Sequence, residues 1–386
     1  MIIKSMQIET VGACNLSCSM CPAMTYEEGK VLMSDDIFEK VLKFIYDKRN
    51  VIKDINLSGW GEPLLDKKLP ERIAAIKAVN PSIKVSITSN GTLFDENRIE
   101  SILNSGIDHI RISFDAAFKD TYEKIRIGAN YDSVVNNLRN LSTARNKYEE
   151  KKSTTIFFEF KKFVRNVETL YKSRTIGDFL LFAFNYLKNP KKIFELRNKN
   201  KLHTTLSCNF VVMNENYLEV EDFVALFHEL GFDYVTLSFT IHATSENNKQ
   251  GSVSRLFTKE ELSLKYKGIS KKFSDKIEVF DLMLSDVNIK KDCLFGAAGG
   301  RVVISCNGDV SPCCLLEHHI PYVPNINKED NFFSFGNLKN EEIEEIINKN
   351  IYKNFVRIFH DNKLPNVCEG CQEVSKKISE NVVKII

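Results

Sequence analysis

The sequence predicts an α/β fold: a partial (β/α)6 barrel followed by a small domain built from a β-hairpin and a helix. Three observations lead there. Short β-rich runs alternate with helical patterns through the first two-thirds of the 386 residues, as in a parallel sheet. Polar and glycine-containing motifs directly follow those runs, at the strand ends where parallel sheets and barrels carry their ligands. Most of the ten cysteines cluster near the two ends of the chain.

The elements follow in order. Strands are expected in the short β-rich runs at residues 6–10, 54–58, 84–89, 109–113, 205–212 and 234–239. Amphipathic helices are expected at 34–47, 68–79, 95–105, 131–148 and 219–230. The core is expected to span 1–245, a linking helical segment 246–284, and the C-terminal domain 285–386. There, Asn307-Gly308 between β-prone runs signals a hairpin presenting Cys313 at its far end, and a helix follows over about 341–357.

Residues 151–201 break the pattern. They hold 13 Lys/Arg against 4 Asp/Glu, a local charge of +9 that leaves about −7 elsewhere, and eight of the 27 phenylalanines. A helix over 178–188 is expected there. A lid packed on the barrel is the plain reading; contact with an anionic membrane surface and docking of an acidic partner stay open. No base-stacking motif accompanies the charge, and the net charge of +2 carries no nucleic-acid signature. The longest apolar run, 179–184, is too short to span a bilayer. No leader pattern is seen at the N-terminus, so a reducing cytoplasm is expected.

Cys14, Cys18 and Cys21 follow a Cys-x3-Cys-x2-Cys spacing. Three thiolates can hold three irons of a [4Fe–4S] cluster and leave the fourth free to bind a small molecule, whereas electron-transfer clusters are closed by a fourth cysteine. Structural zinc wants four N/S ligands, and no histidine stands near in sequence. Disulfides do not suit clustered cysteines in an intracellular enzyme.

The run 14–22 resembles the cluster loop of radical S-adenosylmethionine (SAM) enzymes, in which the free iron chelates SAM and reduction yields a 5′-deoxyadenosyl radical. Gly59-Trp60-Gly61-Glu62-Pro63 resembles the family's Gly-Gly-Glu-Pro segment, which receives the SAM amino group; here tryptophan follows Gly59. The polar exit 88–92 containing Asn90 matches too. So does Ser113, with Arg126 thirteen positions later, a pair that in the family contacts the SAM carboxylate and ribose. The resemblance, covering about 5–245, implies Met20, Gly59, Gly61, Glu62, Asn90, Ser113 and Arg126 as SAM-site residues, with Glu62 shaping the amino-binding turn.

Cys293, Cys313, Cys368 and Cys371 supply four thiolates that would close a zinc site or a complete cluster. This block resembles the SPASM/twitch auxiliary domain of the same enzymes. No cysteine follows Cys371, so the single-auxiliary-cluster form, as in the dehydrogenase of aminoglycoside biosynthesis, is the better match. Cys306 and Cys208 read as packing residues. Cys314 either replaces Cys313 as ligand or faces the active site as a catalytic residue. It stands where sulfatase-maturating relatives carry an aspartate base, which disfavours that reaction.

The resemblance thus implies an oxidoreductase with two [4Fe–4S] clusters and SAM. It would remove a hydrogen atom from a substrate and pass an electron to the auxiliary cluster, oxidising an alcohol or other C–H centre of a sugar- or cyclitol-like molecule. A flavodoxin or ferredoxin would supply the first electron. A peptide- or protein-modifying enzyme is the alternative, weakened by the absence of room for an N-terminal peptide-recognition domain. A non-catalytic zinc-binding module is the third reading.

Overall fold

The computed structural model describes residues 3–21, 31–150, 204–239, 259–281, 300–314, 333–361, 363–365, 368 and 382–383. Strands β1 (Ser5–Ile8), β2 (Asp54–Asn56), β3 (Lys84–Ser89), β4 (His109–Ser113), β5 (Thr205–Val212), β6 (Tyr234–Phe239) and β7 (Glu278–Asp281) pair in sequence order, each parallel to the next. Helices α1 (Asp35–Asp47), α2 (Leu69–Val79), α3 (Glu96–Asn104), α4 (Lys119–Ile125), α5 (Tyr131–Glu150) and α6 (Val220–Glu229) occupy the crossovers, and α7 (Lys259–Lys272) precedes β7. This is the strand–helix alternation expected.

Caps and packing account for the element ends. Ser34 accepts from Ile37 N at 3.3 Å, and Asp95 accepts from Arg98 N at 2.8 Å, so α1 and α3 begin on side chains that satisfy free helix donors. In β4, Ile110 and Ile112 are buried, while His109, Arg111 and Ser113 are half-buried and turned to the opposite face. Ile112 lies with Val134 and Leu138 of α5 around Gly91, which identifies the helix side. The other face, called inner below, carries the polar residues.

Three features differ from expectation. The segment 246–284 is not helical throughout, because β7 extends the sheet beside β6. The helix expected at 341–357 is two, α8 (Ile343–Asn348) and α9 (Asn350–His360). Lys349 between them is extended (φ −61, ψ 150), with its ammonium donating to Phe335 O at 3.2 Å. The C-terminal hairpin, β8 (Arg301–Ile304) and β9 (Asp309–Ser311), forms no sheet of its own: β8 pairs parallel to β1, Ser5 opposite Arg301 through Ile8 opposite Ile304. With β10 (Gly336–Asn337), one ten-stranded sheet runs β10-β9-β8-β1-β2-β3-β4-β5-β6-β7. Gly308 (φ +90) makes the hairpin turn that the Asn-Gly pair signalled. The 151–201 insertion and its helix lie outside the described residues. Among those residues, no helix is long and apolar enough to cross a membrane.

Candidate functional site

The cysteine loop leaves β1 and is pinned at both ends. Gly12 N donates to Val31 O at 3.0 Å, and Met33 N to Thr10 O at 2.9 Å. Buried Arg72 of α2 holds the return arm, donating to Met33 O at 2.6 Å. Midway, Ser17 N and Ser19 N donate at 2.9 Å to Ile127 O and Ile125 O, docking the loop on the end of α4. Cys21 N donates to Cys18 O at 3.0 Å, a turn that places the last two cysteines together. Cys14 is exposed, Cys18 buried, and Cys21 and Met20 half-buried.

The turn after β2 is built against this loop. A Cβ on Gly61 would lie 2.1 Å from Val11 O and 2.6 Å from Ala13 O, so only glycine fits there. Glu62 N donates to Ala13 O at 2.8 Å. Gly59 is equally closed, its Cβ position being 2.4 Å from Glu9 Oε1. The Glu62 side chain does not reach outward. Its carboxylate accepts from Ser89 Oγ (2.8 Å), Asn90 N (2.7 Å) and Leu64 N (3.1 Å), locking the turn to the end of β3. Burial pushes its carboxyl pKa up, while these donors and Arg126 favour the ionised form.

The exits of β3 and β4 direct donors at the thiols. Asn90 Nδ2 lies 3.8 Å from Cys14 Sγ and 2.9 Å from Asn15 Oδ1, while its own oxygen accepts from Thr92. Arg126 Nη1 lies 3.7 Å from Cys18 Sγ. Its Nη2 pairs with buried Asp115, which stands in the left-handed region (φ 70) just past β4. Asp115 also accepts from Val211 N at 2.7 Å and is backed by Asn216, whose Nδ2 donates to Asp115 O at 2.7 Å. Burial alone would depress the Arg126 pKa, but the charges of Asp115 and Cys18 hold it above its ordinary value. Phe114, Tyr122, Tyr131 and Phe227 pack beside the β4 exit in tilted and edge-to-face contacts, with centroids 4.3–5.7 Å apart.

The auxiliary hairpin meets the same turn. Glu9 takes Trp60 N on one oxygen (2.9 Å) and Cys306 N on the other (3.4 Å), bridging the second loop and the hairpin. Trp60 Nε1 donates to Cys314 O at 2.8 Å. Cys313 and Cys368 are buried and Cys314 is half-buried, whereas Cys293 and Cys371 lie outside the described residues. Cys306 and Cys208 are buried in the hydrophobic core, and burial pushes the Cys208 thiol pKa well up, as suits a packing residue.

The structure therefore brings Cys14, Cys18, Cys21, Met20, Gly59, Gly61, Glu62, Asn90 and Arg126 to one end of the sheet. Ser113 is on the inner face just before Asp115. Sequence reasoning missed Glu9, Asn15, Asp115 and Asn216. Only Asp115 carried a signal, as the polar residue closing the β4 exit; the others act by tertiary hydrogen bonds that no local pattern records. Among the described residues no three His, Cys, Asp or Glu side chains gather as a set that could hold a metal ion. The fit of a cluster rests instead on the donor set: three thiols on one loop, two flanked by N–H donors, one of them a cation that favours thiolate. A buried Arg126 Nε without a partner adds a further donor. Those residues suit an anionic thiolate-held group and an adjoining polar ligand.

Comparison with known proteins agrees with that chemistry. The model of the radical SAM superfamily matches residues 8–159, and that of an iron–sulfur cluster-binding domain, SPASM, matches 293–372. A probable GTP 3′,8-cyclase of Methanococcus maripaludis is 35% identical over 135 residues, 34% of this chain and 43% of that protein, so the chain spans less than half of that relative. A tungsten-containing aldehyde ferredoxin oxidoreductase cofactor-modifying protein of Pyrococcus furiosus is 24% identical over 96% of this chain and 87% of its own. Among solved structures, Streptococcus suis SuiB bound to S-adenosylmethionine aligns with a TM-score of 0.60 at 13% identity, over 98% of this chain and 72% of that one. At that identity the likeness is one of fold.

Proposed function

Because the chain belongs to the radical SAM superfamily and carries a SPASM-type iron–sulfur domain, we propose that it is an oxidoreductase. It would carry out a net two-electron oxidation of an alcohol or similar C–H centre in a small, sugar- or cyclitol-like molecule. The observation that carries this reading is the joining of the two cysteine regions: Trp60, in the turn expected to receive SAM, hydrogen-bonds Cys314 at the end of the auxiliary hairpin. When bound, the clusters and SAM would supply a 5′-deoxyadenosyl radical to take a hydrogen atom and an acceptor for the remaining electron, the alcohol proton being lost to a base or to water.

The chain's own residues supply the setting. Cys14, Cys18 and Cys21 would hold the SAM-cleaving cluster, and Cys293, Cys313, Cys368 and Cys371 the auxiliary one. Gly59 and Gly61 keep the second turn close to the cysteine loop. Ser113 and Met20 would meet SAM. Arg126, held by Asp115, acts in this reading mainly on Cys18, and Asn90 on Cys14. Cys314 is the proposed residue at the substrate side. A low-potential flavodoxin or ferredoxin is the proposed reductant, in a reducing cytoplasm.

The reading is tested by anaerobic reconstitution with iron and sulfide, then dithionite and SAM, scoring 5′-deoxyadenosine. Product from the wild type and none from Cys18→Ala is the expected result. A preparation that takes up zinc in place of iron and forms no product would refute it. Peptide modification is separated by the substrate that then raises turnover, a polyol or a peptide.

A further inference from the structure

Arg111 stands in the middle of β4, half-buried, on the inner face. Its Nε is buried without a hydrogen-bond partner, and its guanidinium forms no hydrogen bond or ion pair among the described residues. The fully buried arginines find carboxylates, Arg72 with Asp66, Arg126 with Asp115 and Arg145 with Asp233, and half-buried Arg301, whose Nε also lacks a partner, still donates to Gln7 Oε1 at 2.5 Å. A guanidinium partly withdrawn from water, with a buried N–H left unpaired, is costly, and a ligand that completes it offsets that cost.

Its surroundings are polar and also unsatisfied. The β4–β5 register sets Arg111 beside Ser207 and Ser113 beside Asn209. Asn209 Oδ1 is buried with no partner, and the Ser113 hydroxyl and Asn209 amide make no side-chain hydrogen bond among the described residues. Thr88 and Thr236 flank the two rows from β3 and β6. Within the lower row the first carboxylate on the β7 side is Glu278, three strands away. Below Arg111, His109 is shared with Ser207 Oγ (2.7 Å) and Tyr234 OH (3.2 Å), and its pKa is lowered by burial first and then by Arg111. The carboxylates that act on His109, Asp233 and Asp108, are already paired, with Arg145 and with Lys77 and Lys84. Arg111 lies about 6.6 Å deeper along β4 than Ser113, two residues on, and so below the turn assigned to SAM.

We propose that Arg111, with Asn209 and Ser113, forms an anion subsite on the inner face, and that the substrate carries a carboxylate or phosphate group bound there. A guanidinium fork with adjoining amide and hydroxyl groups is the donor set for a planar or tetrahedral oxyanion. The proposal rests on the functional reading above and narrows its substrate to an anionic polyol.

The test is anaerobic titration calorimetry of the reconstituted holoprotein with inorganic phosphate and, separately, acetate; whichever binds more tightly distinguishes the two oxyanions. Arg111→Gln is expected to weaken the preferred anion at least tenfold, Arg111→Lys less, and Asn209→Leu about threefold. Unchanged binding in Arg111→Gln, or in Lys and Leu variants if Gln does not fold, would mean an adventitious ion only and overturn the proposal. A parallel tenfold loss of SAM affinity in Arg111→Gln would also overturn it, by assigning the charge to SAM's own carboxylate. Failure of the wild type to cleave SAM would strike the functional reading alone, since anion binding is read without turnover.

Discussion

Removing Arg126 should cost far more than removing an ordinary surface charge, and the structure says how much should be recoverable. Arg126→Leu leaves the Asp115 carboxylate fully buried, with Val211 N at 2.7 Å as its remaining donor among the described residues. Breaking one partner out of a buried pair costs about 3–5 kcal/mol, because the other charge is stranded. Asp115→Asn alone strands the guanidinium and should cost a similar amount. The double variant removes both charges. Asparagine tolerates the left-handed backbone at this position and still accepts from Val211 N, so the double variant should be more stable than the summed losses by at least about 2 kcal/mol. Urea unfolding of the iron-free chain, followed by circular dichroism, measures all four corners of the cycle. Additive losses, or a loss below about 1 kcal/mol for Arg126→Leu, would refute the claim that this pair is held together by its own charges.

Two further outcomes follow from the same geometry. Gly61→Ala must push Val11 O and Ala13 O away from the new methyl; a destabilisation of about 1–3 kcal/mol and a fall in iron bound per chain after reconstitution are expected, with intact iron uptake counting against the close contact. His109 has its pKa lowered to about 4 by burial, with Arg111 second. The unfolded imidazole takes up its proton near pH 6.5 while the folded one does not, so stability present above that pH is lost as pH falls toward 4. The loss is on the order of 3 kcal/mol, and His109→Gln should flatten that slope between urea midpoints at pH 7 and pH 5.

The parts of the fold legible in the sequence were those written in local patterns. Strand β5 (Thr205–Val212) and β3 (Lys84–Ser89) are long β-branched or alternating runs, and their bounds coincide with expectation. Strand β7, Glu-Val-Phe-Asp, is four residues with charged ends, and α4 is a single polar stretch of seven; neither is long enough to show a period. At the site, glycines and cysteines announce themselves by type and spacing. Glu62 was legible as a motif residue, but not its role as an acceptor for Ser89 and Asn90. The pairing of Arg126 with Asp115, eleven residues apart across α4, and the docking of β8 on β1, nearly three hundred apart, depend on the assembled sheet. Residue type alone cannot say which partner a charge will find.

Trp60 is the chain's single tryptophan, and its indole spans the gap between the two cysteine regions. The protein therefore carries its own unlabelled fluorophore at that junction, with no second indole to obscure it. Its emission should move to longer wavelength when the hairpin lifts and water replaces the Cys314 carbonyl as partner, and should dim as absorbing iron–sulfur centres assemble on either side. The order in which the two regions fill with iron is thus open to optical observation in the native chain.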